Sequence, residues 1–222
     1  MYDTQKIYKY GFAYDTIIAE GRLYMEYLIT KIKSFTGRAT ILTGCRVESL
    51  TELSFYGENF AAVINCTGLG ARELVDDASM YPIRGHVVRV KAPWIRYHVE
   101  AENKENPTLP AYIIPNSDTI VLGGTKALDD DDLTPRKEDR DAILARCIAA
   151  VPSLAASEFV EEWVGLRPGR PSVRLELERF DSNGGDMPPV VVSNYGHGGS
   201  GLTLAYGCAG DAVELLQKEK II

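Results

Sequence analysis

The chain has 222 residues, 45% hydrophobic and 25% charged, enough apolar material for a buried core in one or two domains. The formal net charge is −7, with no basic stripe of the kind that neutralises nucleic-acid phosphates, so the sequence predicts no nucleic-acid partner and no attraction to anionic membranes. No apolar run reaches the roughly 18–20 residues that span a bilayer, and Met1–Tyr10 is polar and aromatic, unlike a signal peptide.

Four cysteines, Cys45, Cys66, Cys147 and Cys208, lie far apart with no CxxC pair and no Cys/His cluster, which predicts reduced core thiols and no zinc site. Together these features predict an intracellular protein, in the peroxisome or the cytoplasm, although the C-terminal Lys-Glu-Lys-Ile-Ile is no obvious peroxisomal address.

In chain order, Leu23, Tyr24, Tyr27, Leu28, Ile32 and Phe35 recur three or four residues apart, predicting an amphipathic helix over residues 20–35 that Gly37 ends. Residues 39–43 and 46–50 read as short strands with a break at Gly44. Phe60–Cys66 is a nearly continuous apolar run that meets a turn at residues 67–70 and a short helix, Ala71–Val75. Such a strand is buried on both faces and belongs to a parallel sheet. Val87, Val88 and Val90 mark another strand.

Residues 111–125 read as a hairpin around Pro115-Asn-Ser-Asp118. Thr134 as N-cap with Pro135 at the first helical position opens a helix carrying Ile143, Leu144, Cys147, Ile148 and Val151, which Pro152 stops. Residues 159–164 and 173–177 are strands on either side of a loop, Gly165-Leu-Arg-Pro-Gly-Arg-Pro171. Finally Pro189-Val-Val-Val192 leads into Tyr195-Gly-His-Gly-Gly-Ser-Gly201, followed by a helix through Leu216 whose close-packing face is Ala205, Cys208, Ala209 and Ala212.

Strand, glycine turn and helix in succession present backbone N–H groups and the positive end of a helix dipole to a ligand. From the residues alone, the 196–201 loop reads equally as a cofactor cradle or as a tight turn with positive-φ glycines. No Lys-Ser/Thr follows it, so it is no Walker loop, and it is not read as a G-x-G-x-x-G spacing. Arg167, Arg170 and Arg174 compete as a carboxylate clamp, a role suited to the planar guanidinium fork, with a solvated surface loop as the plain alternative. Tyr112 could hydrogen-bond a substrate or simply fill a half-buried hairpin position. His86, His98 and His197 are too scattered for a metal site, and no Ser/His/Asp arrangement suggests a hydrolase.

Seven collinear blocks resemble the D-amino-acid oxidase and D-aspartate oxidase family in order and spacing. They are Val-Ile-Asn-Cys-Thr-Gly-Leu-Gly-Ala at 63–71, Pro-Ile-Arg-Gly-His at 82–86, Ala-Pro-Trp at 92–94 and Ala-Tyr-Ile-Ile-Pro at 111–115, then Val-Leu-Gly-Gly-Thr at 121–125, Val-Gly-Leu-Arg-Pro at 164–168 and Asn-Tyr-Gly-His-Gly-Gly-Ser-Gly-Leu-Thr at 194–203. The resemblance implies an α/β fold with a doubly wound FAD-binding domain from residues 1–75 and 185–222. A substrate-binding domain on a mixed sheet, α+β in character, would take residues 76–184. It also implies FAD as cofactor, a D-amino acid and molecular oxygen as small-molecule partners, and a homodimer as a possible assembly.

By the same resemblance Arg167 binds the substrate carboxylate, Tyr112 assists it, and the Gly199 carbonyl accepts from the substrate amine. Flavin contacts fall on Val47, Thr67, Gly198, Gly199, Ser200, Gly201, Leu202 and Thr203. Lys126 occupies a position where relatives acting on D-aspartate carry a cation, so acidic substrates are expected beside neutral ones. A lid tyrosine of the neutral-substrate enzymes would fall near Thr108 and is not matched.

The implied reaction is oxidative deamination of a D-amino acid to a 2-oxo acid with release of ammonia and hydrogen peroxide. If the amine enters neutral, that chemistry needs orientation and charge stabilisation more than an acid or base. Relatives of this family open with a strand and a G-x-G-x-x-G turn; no such unit opens this chain, so a partial cofactor domain is expected. Two other readings remain: a flavin amine oxidase for glycine or N-methylated amino acids, and an inactive protein that keeps the substrate domain as a binding module.

Overall fold

The computed structural model describes residues 8, 10–37, 39–56, 60–102, 111–179 and 190–222. The chain is α/β, as expected, and divides into two compact units. Unit 1 comprises Met1–Glu20 and Ile83–Leu166, and unit 2 comprises Gly21–Pro82 and Arg167–Ile222. These limits are not those expected for the two domains, since unit 1 takes residues 1–20 and unit 2 begins its second segment at Arg167.

Unit 1 is built on a six-stranded sheet. Strand β2 (Tyr81–Lys91) enters it from unit 2 and is joined by β3 (Val99–Ala101), β4 (Ala111–Pro115), β5 (Ile120–Gly123) and β6 (Ala127–Leu128) in the order β3-β4-β5-β2-β6. Strand β7 (Glu158–Gly169) also pairs with β2. The β4–β5 hairpin turns where the sequence predicts it, with the Asn116 N–H donating to the Thr119 carbonyl at 2.9 Å. Alternation puts Val88, Val90, Ile113, Ile120 and Leu122 on one face, where helix α3 (Lys137–Ala150) covers them with Ile143 and Cys147, one turn apart. Each such side chain contributes on the order of 1.5–3 kcal/mol of burial.

Helix α3 does not start on the expected cap. The Thr134 N–H donates to Asp132 Oδ1 at 2.8 Å and its carbonyl accepts from Arg84 at 2.8 Å, so Thr134 is spent on the preceding turn and Arg136 becomes the residue before the helix.

β5 and β6 follow one another along β2: Val87 pairs with Gly123 and Arg84 with Ala127. Three residues, 124–126, therefore face two, Gly85 and His86, which is a β-bulge. Behind it lies a buried ionic cluster. Arg84, 1% exposed, donates to Asp139 at 2.6 Å and to the carbonyls of Asp132 and Thr134, while His86 Nε2 lies 3.0 Å from Glu162.

Unit 2 holds helix α1 (Gly21–Ser34), strand β1 (Val63–Asn65), the single helical turn α2 (Ala71–Leu74), strands β8 (Arg174–Arg179) and β9 (Val190–Tyr195), and helix α4 (Gly201–Lys218). The sheet order is β1-β9-β8, with β1 parallel to β9 and β8 antiparallel to it. Val190, Val192, Ala212 and Leu216 form its core between the sheet and α4.

Several expectations change here. Helix α1 forms where its period predicts, yet no residue of it is buried. Residues 39–43 and 46–50 form no strand among the described residues. Strand propensity needs a neighbouring ladder, and this stretch makes local bonds instead, such as Glu48 N–H to Glu52 Oε2 at 3.0 Å. On α4, Ala212 is buried and Cys208 half-buried, whereas Ala205 and Ala209 are exposed. All four thiols are free as expected, but only Cys147 is a fully buried core residue, its pKa pushed up to about 11 by burial; Cys45 and Cys66 are exposed. Among the described residues no helix is long and apolar enough to cross a membrane, and no cluster of His, Cys, Asp and Glu could hold a metal ion.

Candidate active site

In unit 2 the carboxyl end of β1 opens on a cleft of about 600 Å³ whose walls include Val47, Thr67, Leu69, Gly70 and Leu74. Val47 and Thr67, expected from different strands to contact one cofactor, thus line one space. The buried Asn65 fixes this corner: its Oδ1 accepts from the Thr67 N–H at 3.1 Å and from Thr67 Oγ1 at 2.7 Å. Gly68 follows with φ +58, a conformation a side chain resists.

The second wall of candidate residues is the turn between β9 and α4. Gly196 has φ +86 and Gly198 φ +55, and the Ser200 N–H donates back to the His197 carbonyl at 3.0 Å before α4 opens at Gly201. The first N–H groups of α4, among them those of Gly201, Leu202 and Thr203, have no carbonyl four residues back and carry the positive end of the helix dipole. Gly196, Gly198 and Gly201 do have the G-x-G-x-x-G spacing, which corrects the reading of this loop given above.

Around the two strand ends, Asn65 Nδ2, Ser193 Oγ, Asn194 Oδ1 and His197 Nε2 are buried with no hydrogen-bond partner among the described residues. A polar ligand at the carboxyl ends of parallel strands suits such a place.

Arg167 stands on β7, not in a loop as expected, because the strand continues through Gly169. Its side chain runs past the glycine turn, since a Cβ placed on Gly199 would lie 3.7 Å from Arg167 Cδ. The two positions expected to hold the substrate's carboxylate and amine are therefore neighbours. The competing arginines are committed elsewhere: Arg170 Nε donates to Asp77 at 3.0 Å, and Arg174 pairs with Glu176 at 2.5 Å and Glu178 at 2.9 Å.

Asp77 is the residue the sequence did not reveal. It is 8% exposed and accepts from the Ser79 N–H and hydroxyl, from Arg170, and from Tyr195 Oη at 2.9 Å. Burial alone raises its pKa, but the bonds from Ser79, Tyr195 and Arg170 outweigh that and hold it down to about 2. Asp77-Ala-Ser79 spells a local turn; nothing in it points to partners about a hundred residues away.

In unit 1, Tyr112 on β4 lies across the Gly123–Gly124 peptide, and a Cβ on either glycine would collide with its ring. Arg146 donates to the Gly124 carbonyl at 2.9 Å, so α3 holds the next peptide from behind. Lys126, in the bulge, is exposed and makes no ion pair among the described residues. The nearby acidic run does not claim it, because Arg136 holds Asp130 at 2.6 Å and Asp132 at 2.9 Å. Thr108 lies outside the described residues.

Residues 4–215 match the family model described as DAO, FAD dependent oxidoreductase. The chain belongs to this family. FAD dependent oxidoreductases carry FAD as their cofactor, and the cleft at Val47 and Thr67, the glycine turn and the unpartnered buried polar atoms fit a large polar ligand of that kind.

Among curated relatives, the D-amino acid oxidase of Dugesia ryukyuensis is 40% identical over 210 residues, covering 94% of this chain and 60% of that protein. The D-aspartate oxidase of Homo sapiens is 37% identical over 211 residues, covering 95% and 58%. The chain thus spans about three fifths of the length of these relatives. Among solved structures, glycine oxidase from Geobacillus kaustophilus superposes with a TM-score of 0.58 at 24% identity over 71% of this chain and 41% of that one, a likeness of fold.

Proposed function

We propose that this chain takes part in FAD-dependent oxidative deamination of D-amino acids, giving 2-oxo acids with release of ammonia and hydrogen peroxide. The observation that carries this reading is the placement of Arg167 against Gly199, in a chain whose relatives are named D-amino-acid and D-aspartate oxidases. Bound FAD supplies the two-electron acceptor.

In this proposal the Arg167 fork grips the substrate carboxylate through two parallel hydrogen bonds, and the Gly199 carbonyl accepts from the neutral amine. These two anchors fix the α-carbon, so orientation replaces a catalytic acid or base. Val47 and Thr67 on the β1 side, with Gly198, Gly199, Ser200, Gly201, Leu202 and Thr203 on the loop side, form the flavin contacts. The N–H groups at the start of α4 favour negative charge there. In unit 1, Tyr112 is the proposed hydrogen-bond donor to substrate. Lys126, exposed and with Asp130 and Asp132 taken by Arg136, is the proposed partner of an acidic side chain, so D-aspartate is accepted beside neutral D-amino acids.

The test is the visible spectrum of the purified chain after incubation with excess FAD and removal of unbound dye. Retained flavin absorbance that bleaches anaerobically with D-alanine and D-aspartate, and not with their L-forms, is the expected result. Bleaching by glycine or N-methylglycine alone would move the assignment to another amine oxidase. Absence of retained flavin would overturn the proposal for this chain.

A further inference from the structure

The Asp77 carboxylate lies outside every role assigned so far, yet it touches the elements that carry both substrate anchors. Its partner Arg170 follows Arg167 by three residues at the end of β7, and its partner Tyr195 is the last residue of β9, immediately before the glycine turn. Arg174 completes the cluster, donating to Tyr195 Oη at 2.8 Å and lying 3.7 Å from Asp77. Arg170 also supports the turn directly: a Cβ placed on Gly196 would fall 2.8 Å from Arg170 Cβ, so the turn rests on the Arg170 stem.

We propose that Asp77 is a positioning residue, one buried carboxylate that holds Arg167 and the Gly196–Gly201 turn at a fixed separation by binding Arg170 and Tyr195 together. The proposal rests on the reading of Arg167 and Gly199 as the substrate anchors. Two anchors on different segments orient an α-carbon only while their separation is constant, and an error of about 1 Å can cost on the order of a hundredfold in rate. A carboxylate suits the task because it accepts from several donors at once and its charge-assisted bonds are about twice as strong as neutral ones. It touches neither substrate nor cofactor in this arrangement; it acts through Arg170 and Tyr195.

The plain alternative is a buried ion pair that only supports the fold. Asp77→Asn keeps the size and the acceptor for Ser79 but removes the charge, and Tyr195→Phe removes a single arm of the cluster. The first readout needs no flavin: backbone amide order parameters measured by NMR on the whole chain. In D77N the amides of the Gly196–Gly201 turn should fall from about 0.85 to under about 0.6, with those of Val190–Val192 and of unit 1 unchanged; Y195F should show a smaller drop at the same residues.

The second readout uses the FAD-loaded protein and the anaerobic bleaching rate. The D-alanine concentration giving half the maximal rate should rise at least tenfold in D77N, with a smaller fall in the maximal rate. Unchanged turn amides in D77N would overturn the proposal. If D77N loses order throughout, Y195F decides, and an unaltered turn there overturns it equally. A wild-type chain that retains no flavin would sink the proposed function, while the order parameters still decide whether Asp77 fixes the turn.

Discussion

Unit 1 and unit 2 solve the problem of holding a site in opposite ways. Unit 1 buries a continuous apolar sheet face under α3 and backs its bulge with the ionic cluster of Arg84, His86, Asp139 and Glu162. Unit 2 has two small clusters, Val190, Val192, Ala212 and Leu216, and Ala71, Met80 and Tyr195, while no residue of α1 is buried and Leu202, Tyr206 and Phe35 are more than half exposed. Around the candidate site in unit 2 the contacts are polar, the hydrogen bonds on Asp77 and Asn65. Tyr112 lies on a strand of the apolar sheet; in unit 2 directional bonds hold Thr67 to Asn65 and join Arg170 and Tyr195 at Asp77.

The largest effect expected from this contrast lies in unit 1. Arg84→Met removes the buried guanidinium and leaves Asp139 and two carbonyls without their donor, which should cost about 3–5 kcal/mol in urea unfolding. A loss under about 1 kcal/mol would mean the cluster is dispensable. Next, Arg167→Leu should lower the rate of flavin bleaching by D-alanine per unit substrate about a hundredfold, near 2.7 kcal/mol, with unit 1 stability unchanged. Activity retained after that change would remove Arg167 from the proposed clamp.

Asp77 gives a smaller, pH-dependent effect whose sign follows from its depressed pKa. The carboxyl sits at about 2 in the folded chain against an ordinary value near 3.8, so its contribution to stability is fully present above about pH 4 and is lost as pH falls towards 2. Between those limits the wild type should lose about 1–2 kcal/mol more stability than Asp77→Asn. Parallel pH profiles of the two proteins, followed by urea unfolding, would show that Asp77 is not held as a buried anion.

Much of this architecture was legible in the sequence because it is local. The α1 period, the Pro115–Asp118 turn and the strand–glycine–helix succession at 190–201 each lie within about fifteen residues, and the structure places them as expected. Arg167 and Gly199 were singled out only through the resemblance; spacing alone left three arginines in competition, and nothing in it pairs Arg170 with Asp77. That carboxylate lies 93 residues from Arg170 and 118 from Tyr195, distances at which no periodicity carries information. The strands expected at 39–43 and 46–50 failed for a related reason, since propensity says nothing about whether a partner strand stands alongside.

The smallest expected effect tests the weakest part of unit 2. The residues of α1 recur with a helical period, which ordinarily marks a stripe facing a core. Here Leu23 is 42% and Ile32 45% exposed, so truncating either removes less area from contact than at a core position. Leu23→Ala and Ile32→Ala should each change the unfolding free energy by no more than about 0.5 kcal/mol, the range of a surface substitution. A cost of about 2 kcal/mol or more, the scale of a core truncation, would show that in solution the stripe is covered. The difference between the units would then lie in what each packs against, and not in how much apolar surface each is able to bury.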